Sequence, residues 1–321
     1  MNILAIISPL IVVALLGFIC TKTQWLSKEQ LNALSKFTFS ISIPAFLFYQ
    51  MAKADFSEQV SPQLFAAFYL PVLTCYFIAW LISYFFYRNK PLFNSDAAAF
   101  NSSAASAVYA LSASYSNTII VGLPVLLAAM GEQVVGIIFL IVTFHSAMLF
   151  ALTSAIAAIA NSKNSAQKFN GLKFVKQTLN NPLIISILSG LLINLLGITL
   201  PDFLQDSLAL ISKPAIALAL FILGASLAFY QVRQELTFIG IASFIKLMLL
   251  PALVFVTAQY IFNLEAFIVT VLVMLSACPT GVNASLIAAT HQQHQQTVAG
   301  TVVLSTLISI VTIPLWLSFI L

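Results

Sequence analysis

Two short stretches place polar and helix-breaking residues inside otherwise apolar segments. They are Tyr115-Ser116-Asn117-Thr118-Ile119-Ile120-Val121-Gly122-Leu123-Pro124 and Ala277-Cys278-Pro279-Thr280-Gly281-Val282-Asn283-Ala284-Ser285. Pro279 lacks a backbone N–H and Gly281 lowers helix propensity, so a helix running through the second stretch is interrupted near its centre. Gly122 and Pro124 predict the same for the first. Where the second half of a broken helix starts, it presents unpaired N–H groups and the positive end of a dipole. The expected starts are around Val121 to Pro124 and around Gly281 to Ala284. If the segments cross there, they form an anion-attracting centre with no buried cation. Asn117 and Asn283 both donate and accept hydrogen bonds, which suits a carboxylate or a coupling ion. Thr118 and Thr280 adjoin the breaks. Pro and Gly also kink membrane helices without any ligand, but two breaks at corresponding places, each with an Asn, favour a binding site.

The elements that hold these stretches are membrane helices. Hydrophobic residues make up 61% of the chain and charged residues 7%, with mean hydropathy +1.03. Soluble domains carry about 25% charged residues, so a soluble fold is excluded. Continuous apolar runs contradict the alternation of a transmembrane β-barrel. Apolar windows predict ten spans, at roughly 3–21, 31–51, 63–87, 106–130, 133–160, 180–199, 207–230, 237–262, 267–290 and 297–320. The two broken segments fall in the fourth and ninth. The polar interval 161–179 divides the chain into five-span halves, 1–160 and 180–321. The N-terminal run reads as an uncleaved first span.

Lys and Arg set the orientation. With the N-terminus outside, the cytoplasmic loops hold Lys22, Lys28, Lys36, Arg88, Lys90, Lys163, Lys168, Lys173, Lys176 and Arg233, against Lys53 and Lys213 outside. The positive-inside bias therefore puts both termini on the outer side. These cations lie in short loops and have no bearing on nucleic acid. The halves also repeat. Pro9-Leu10-Ile11 with Gly17 matches Pro182-Leu183-Ile184 with Gly190, at a constant offset of 173 residues. Leu126-Leu127-Ala128-Ala129 matches Leu286-Ile287-Ala288-Ala289, in the same order. An odd number of spans per half makes the repeats inverted.

Other polar residues are fewer. Lys246 lies inside the eighth span, where a cation is a functional candidate unless it snorkels to the interface or pairs within the bundle. His145 in the fifth span is either a proton carrier or a satisfied buried polar group. His291 and His294 sit in a Gln-rich turn and read as solvated. Asp96, Glu132, Asp202, Asp206 and Glu265 map to loops or span ends, leaving no midspan carboxylate as a proton relay. Pro44 and Pro214 fall at similar places in their halves and either bend a second pair of helices that line the cavity or are simple kinks. Cys20, Cys75 and Cys278 are widely separated core-packing residues, and no metal site or cofactor is expected. Paired intramembrane carboxylates, a His-Glu-x-x-His motif and a Ser/His pair are all missing, which argues against a membrane enzyme.

The segment Asn117 to Pro124, the segment Pro279 to Ala284 and the five-plus-five layout resemble the auxin efflux carrier family across essentially the whole chain. The likeness is to short prokaryotic members, often labelled malonate-type permeases. It implies an all-α membrane fold of ten helices, related to bile-acid symporters and sodium/proton antiporters, with broken helices 4 and 9 crossing. It also implies a scaffold part and a transport part that move against each other as an elevator. By position, Asn117, the Gly122-Leu123-Pro124 backbone and the Pro279–Asn283 turn with Thr280 and Gly281 would meet an anionic substrate. The third span has no acidic residue, so the ionic support site of plant relatives is absent or rearranged, leaving Lys246 without that partner. The expected function is a permease for a small organic anion such as malonate or an auxin-like acid, in the plasma membrane. Sodium or a proton is the candidate coupling ion and a homodimer the candidate assembly. The alternatives are a sodium- or proton-coupled cation or bile-acid-like carrier, and a non-transporting receptor on the same fold.

Overall fold

The computed structural model describes residues 3–53, 61–88, 102–161, 182–229 and 235–320. All regular structure among them is helical. In chain order the helices are α1 (Ile3–Lys22), α2 (Lys28–Phe37), α3 (Ile43–Lys53), α4 (Pro62–Arg88), α5 (Ser102–Ser114), α6 (Leu123–Met130) and α7 (Val135–Asn161). They continue with α8 (Pro182–Leu195), α9 (Asp202–Ser212), α10 (Ala215–Leu227), α11 (Leu236–Phe244), α12 (Leu250–Val256), α13 (Ala266–Ala277), α14 (Asn283–His291) and α15 (Gln295–Ile320). Among the described residues, six continuous stretches are long and apolar enough to cross a membrane: Lys28–Lys53, Pro62–Phe86, Glu132–Ala160, Asp202–Leu227, Leu236–Ile261 and Gln295–Ile320. Shorter apolar helices accompany them. The chain is thus an all-helical, multi-pass membrane protein. The expected connecting loop, 161–179, lies outside the described residues beyond Asn161.

Prolines shape three of the bends in the same way. Widened, π-type turns span Thr38–Ser42, Thr118–Gly122 and Ile245–Leu249. Each ends two residues before a proline: Pro44, Pro124 and Pro251. A proline cannot donate to the carbonyl four residues earlier, and its ring crowds that carbonyl, so the preceding turn opens. The carbonyl set free by Pro251 belongs to Leu247, and it accepts the Trp316 indole N–H at 2.9 Å.

The chain divides into two compact units, each drawing on both sequence halves. The first comprises Met1–Val60, Ile119–Thr143 and Leu172–Tyr230. Within it α1 packs on α10 and α3 on α8. Glycines make both contacts close. A Cβ on Gly17 would stand 1.9 Å from the Phe221 carbonyl oxygen, and one on Gly190 would stand 2.6 Å from that of Phe48. Gly190 follows Gly17 by 173 residues, and Phe221 follows Phe48 by the same 173. The two contacts therefore share one offset. The predicted second pair of bends also meets here, at the π turn before Pro44 and the break at Lys213-Pro214. The Ser42 hydroxyl donates to the Ile211 carbonyl at 2.8 Å and ties them together.

The second unit comprises Ser61–Thr118, Phe144–Gly171 and Gln231–Leu321. Its centre is α5, whose Ala and Ser side chains are buried from Ala104 to Ser114. Small residues allow backbones to approach closely, and hydroxyls bond between helices. Accordingly the Tyr76 hydroxyl donates to Ala107 O at 3.2 Å, Ser106 donates to Ser83 at 3.1 Å, and Tyr109 donates to Phe238 O at 2.9 Å.

Candidate functional site

Both polar stretches do interrupt helices, and in the second unit the interruptions cross. The helix α5 ends at Ser114, where the Ser112 and Ser114 hydroxyls turn back onto the carbonyls of Tyr109 and Ala110 at 2.7 and 2.9 Å. Such back-bonding competes with the helical ladder and weakens the last turn. The helix α13 ends at Ala277. Cys278 is extended, with φ −59° and ψ 149°, because the residue before a proline is pushed out of the helical region.

The two extended pieces then pair as a minimal antiparallel bridge, Ser116 against Thr280. The Asn117 N–H donates to Pro279 O at 2.8 Å, and the Gly281 N–H donates to Tyr115 O at 3.0 Å. Two further N–H groups point away from the bridge and are taken by side chains. The Ser116 N–H donates to His145 Nε2 at 3.0 Å, and the Thr280 N–H donates to Ser305 Oγ at 3.0 Å. The Thr280 hydroxyl caps α5 by donating to Ser112 O at 2.7 Å. These four backbone donors are satisfied, as buried peptide groups require.

The side chains are not all satisfied. Asn117 is 5% exposed, yet its Nδ2 has no hydrogen-bond partner. Ser116 Oγ, Ser285 Oγ and His145 Nδ1 are likewise buried and unpartnered. Asn283 opens α14 and is exposed. Its side chain neighbours the Tyr115 hydroxyl, which is 2.9 Å from Ser146 Oγ. No side chain caps the start of α14; the Ala284 and Ser285 N–H groups bond back to Gly281 O and Val282 O at 3.0 and 3.1 Å, and the positive end of the helix dipole faces the crossing. An exposed amide and an uncapped helix start thus accompany a buried amide donor with nothing to bond. Such a centre receives hydrogen-bond acceptors.

Gly122, Leu123 and Pro124 follow the first interruption in the chain. They are buried residues of the first unit. Helical bonding has already resumed at Thr118, because Pro124 widens the preceding turn without breaking it. Of the expected half-helix starts, the one at Asn283 opens directly at the bridge.

Lys246 does not snorkel. It is 0% exposed and its ammonium donates to Ser276 O at 2.5 Å. Ser276 is in the last turn of α13, so the cation faces the negative end of that helix just before the crossing. The thiols of Cys75 and Cys278 are its ionisable neighbours, and among the described residues no carboxylate pairs with it. Replacing a buried charge with an apolar group of similar volume is often neutral or stabilising. Lys246→Met is therefore expected to hold folding stability within about 1 kcal/mol of wild type or above it, while uptake falls. Thermal melting in detergent and uptake into vesicles check the two halves of that expectation.

The His294 side chain is buried and His291 is half-buried, where the sequence suggested solvated groups. The chain turns back through left-handed Gln292 and His294, at φ 53° and 47°, and the imidazoles fold inward. The His294 side chain is 3% exposed, with Nδ1 3.7 Å from Glu235 Oε2, and Thr297 donates to the same carboxylate oxygen. His291 Nε2 is 3.4 Å from Ser154 Oγ. Tyr115 and Ser305 were not singled out in the sequence. Tyr115 lies inside the first stretch, but Ser305 sits on a separate helix with no local signal.

A sequence profile described as "Membrane transport protein" matches residues 3–317. The chain belongs to this transporter family, the auxin efflux carrier family. A relative from Escherichia coli strain K12, "Uncharacterized transporter YfdV", is 25% identical over 96% of this chain and 95% of its own. A Rhizobium meliloti protein named "Putative malonate transporter" is 22% identical over 97% of this chain and 94% of its own. An "Uncharacterized transporter" from Methanothermobacter thermautotrophicus is 23% identical, over 95% and 94%. Family and relatives indicate a transporter and not an enzyme.

Proposed function

We propose that this transporter is a secondary carrier of a small organic anion, a mono- or dicarboxylate, bound at the crossing of the two interrupted helices. The observation that carries the reading is the Asn117 amide: a buried N–H donor without a partner beside the bridge. A buried donor left unbonded costs about 1–3 kcal/mol, which an incoming carboxylate oxygen would recover. The uncapped start of α14 adds the positive end of a helix dipole, and Asn283 adds a second amide. Thr118, Thr280, Pro279 and Gly281 supply the backbone frame, and Gly122, Leu123 and Pro124 shape the helix that leaves it. The name of the Rhizobium relative makes malonate the first substrate to try.

The same proposal includes ten spans in two inverted five-helix repeats, 1–160 and 180–321, with both termini outside in a plasma membrane. The shared 173-residue offset of the Gly17–Phe221 and Gly190–Phe48 contacts supports the repeat. Alternating access is of the elevator type, the unit that carries the crossing moving relative to the other.

The test is uptake of labelled malonate and other small carboxylates into proteoliposomes, with and without sodium and a proton gradient. Hydrogen bonds to charged groups contribute about 1.5–3 kcal/mol, so Asn117→Ala is expected to lower uptake by roughly tenfold to a hundredfold. Asn283→Ala is expected to fall in the same direction by less, since its position is exposed. Wild-type uptake by both correctly inserted variants would remove the crossing as the site. Loss of uptake without sodium would make sodium the coupling ion.

A further inference from the structure

The crossing is held from both flanks by side chains on the helices that directly follow the interrupted pairs in the chain. On one flank Ser305 of α15 accepts the Thr280 N–H, its own proton donated to Val302 O at 3.3 Å. On the other, His145 of α7 accepts the Ser116 N–H through Nε2 at 3.0 Å. Accepting there requires a lone pair on Nε2, so the neutral imidazole carries its proton on Nδ1. The ring is 1% exposed and is fixed by aromatic neighbours. It stacks on Tyr115 at 5.2 Å and 10°, and meets the Phe68 and Tyr69 rings at 5.6 and 6.2 Å. Lys246 is the charged group that acts on it.

We infer that His145 is a positioning residue for substrate binding: its Nε2 fixes the Ser116 peptide and thereby the place of the adjoining Asn117 amide. The inference rests on the crossing being the binding site. Its structural part, that Nε2 holds the peptide, stands whether or not that reading is right. Without the acceptor, the Ser116 N–H is a buried donor with nothing to bond. The local backbone then opens more readily, and Asn117 is presented to substrate in several places.

The test compares His145→Phe, which keeps an aromatic ring and loses the acceptor, with His145→Gln, whose side-chain oxygen reaches the Nε2 position. Hydrogen exchange of the peptide containing Ser116, followed by mass spectrometry, reads the anchor without any substrate. An unmet buried donor predicts about tenfold faster exchange in His145→Phe, with His145→Gln close to wild type. In carboxylate uptake, His145→Phe raises KM by a similar factor with a smaller change in Vmax, and His145→Gln restores it. Should His145→Phe fail to insert, His145→Asn takes its place, since its oxygen stops at the Nδ1 position and cannot reach Ser116. Wild-type exchange in the acceptor-less variants overturns the proposal. Equally fast exchange in His145→Gln also overturns it, because ring packing and not the acceptor would then be the cause. If wild-type protein moves no carboxylate, the functional reading fails and the exchange comparison still decides the anchor.

Discussion

Gly281→Ala is expected to abolish most transport while adding only one methyl group. A Cβ at residue 281 would lie 2.4 Å from Tyr115 Cε1 and 2.7 Å from Cδ1. The ring cannot swing away freely. One face stacks on His145, Phe150 lies 4.9 Å from it, and the hydroxyl meets Ser146. The methyl group must therefore push either the ring or the bridge. The bridge is the softer element, since only the Asn117–Pro279 and Gly281–Tyr115 bonds join its strands. Overpacking of this kind costs about 1–3 kcal/mol, which lowers the melting temperature without preventing insertion. The larger loss is in uptake, because the displaced bridge carries Asn117. Tyr115→Ala in the Gly281→Ala background removes the clash. Stability of the double variant should then exceed the sum of the two single effects, as a double-mutant cycle in detergent would measure. Strict additivity would mean that the ring and the glycine do not press on one another.

The crossing itself was legible because its breakers are local. Pro279, Gly281 and the Asn residues announce an interruption from composition alone, and the cost of unpaired backbone in a bilayer confines such interruptions to protected sites. The position of the first break was less legible. Pro124 looked like its centre, yet the chain breaks at Tyr115–Asn117 and only widens before the proline. The reason is energetic: a π turn absorbs the missing N–H more cheaply than a second break would. Lys246 was visible as an anomaly, but its acceptor, the Ser276 carbonyl, lies 30 residues away and has no sequence signature. The same holds for His145, whose partner is a backbone N–H. His294 was misread because a polar turn usually faces water, whereas two left-handed residues here fold it back on Glu235. Side-chain identity reveals unusual groups; their partners emerge only when separate helices meet.

The largest expected loss of folded protein comes from the glycines of the first unit. A Cβ on Gly224 would stand 1.7 Å from Ala14 O and 2.5 Å from Ala14 C, and one on Gly17 would stand 1.9 Å from Phe221 O. These neighbours are backbone atoms of the facing helix, so no rotamer change can relieve the contact. The helices α1 and α10 must separate along their length. In a membrane that separation has little hydrophobic compensation, since association depends on close packing and lipid fills any gap equally well. Gly190 is a milder case: its nearest neighbours would be Phe48 O at 2.6 Å and Met51 Cβ at 2.8 Å. The expected order of damage is therefore Gly224→Ala, then Gly17→Ala, then Gly190→Ala. For the first two it exceeds the roughly 1–3 kcal/mol of ordinary overpacking. Yield of monodisperse protein after detergent extraction reads that order, and melting temperature reads it for whatever survives. A reversed order would mean that the α1–α10 pair yields more easily than the α3–α8 pair. The two contacts would then differ in rigidity despite their common offset, and the proposed repeat would be a record of ancestry more than a shared mechanical design.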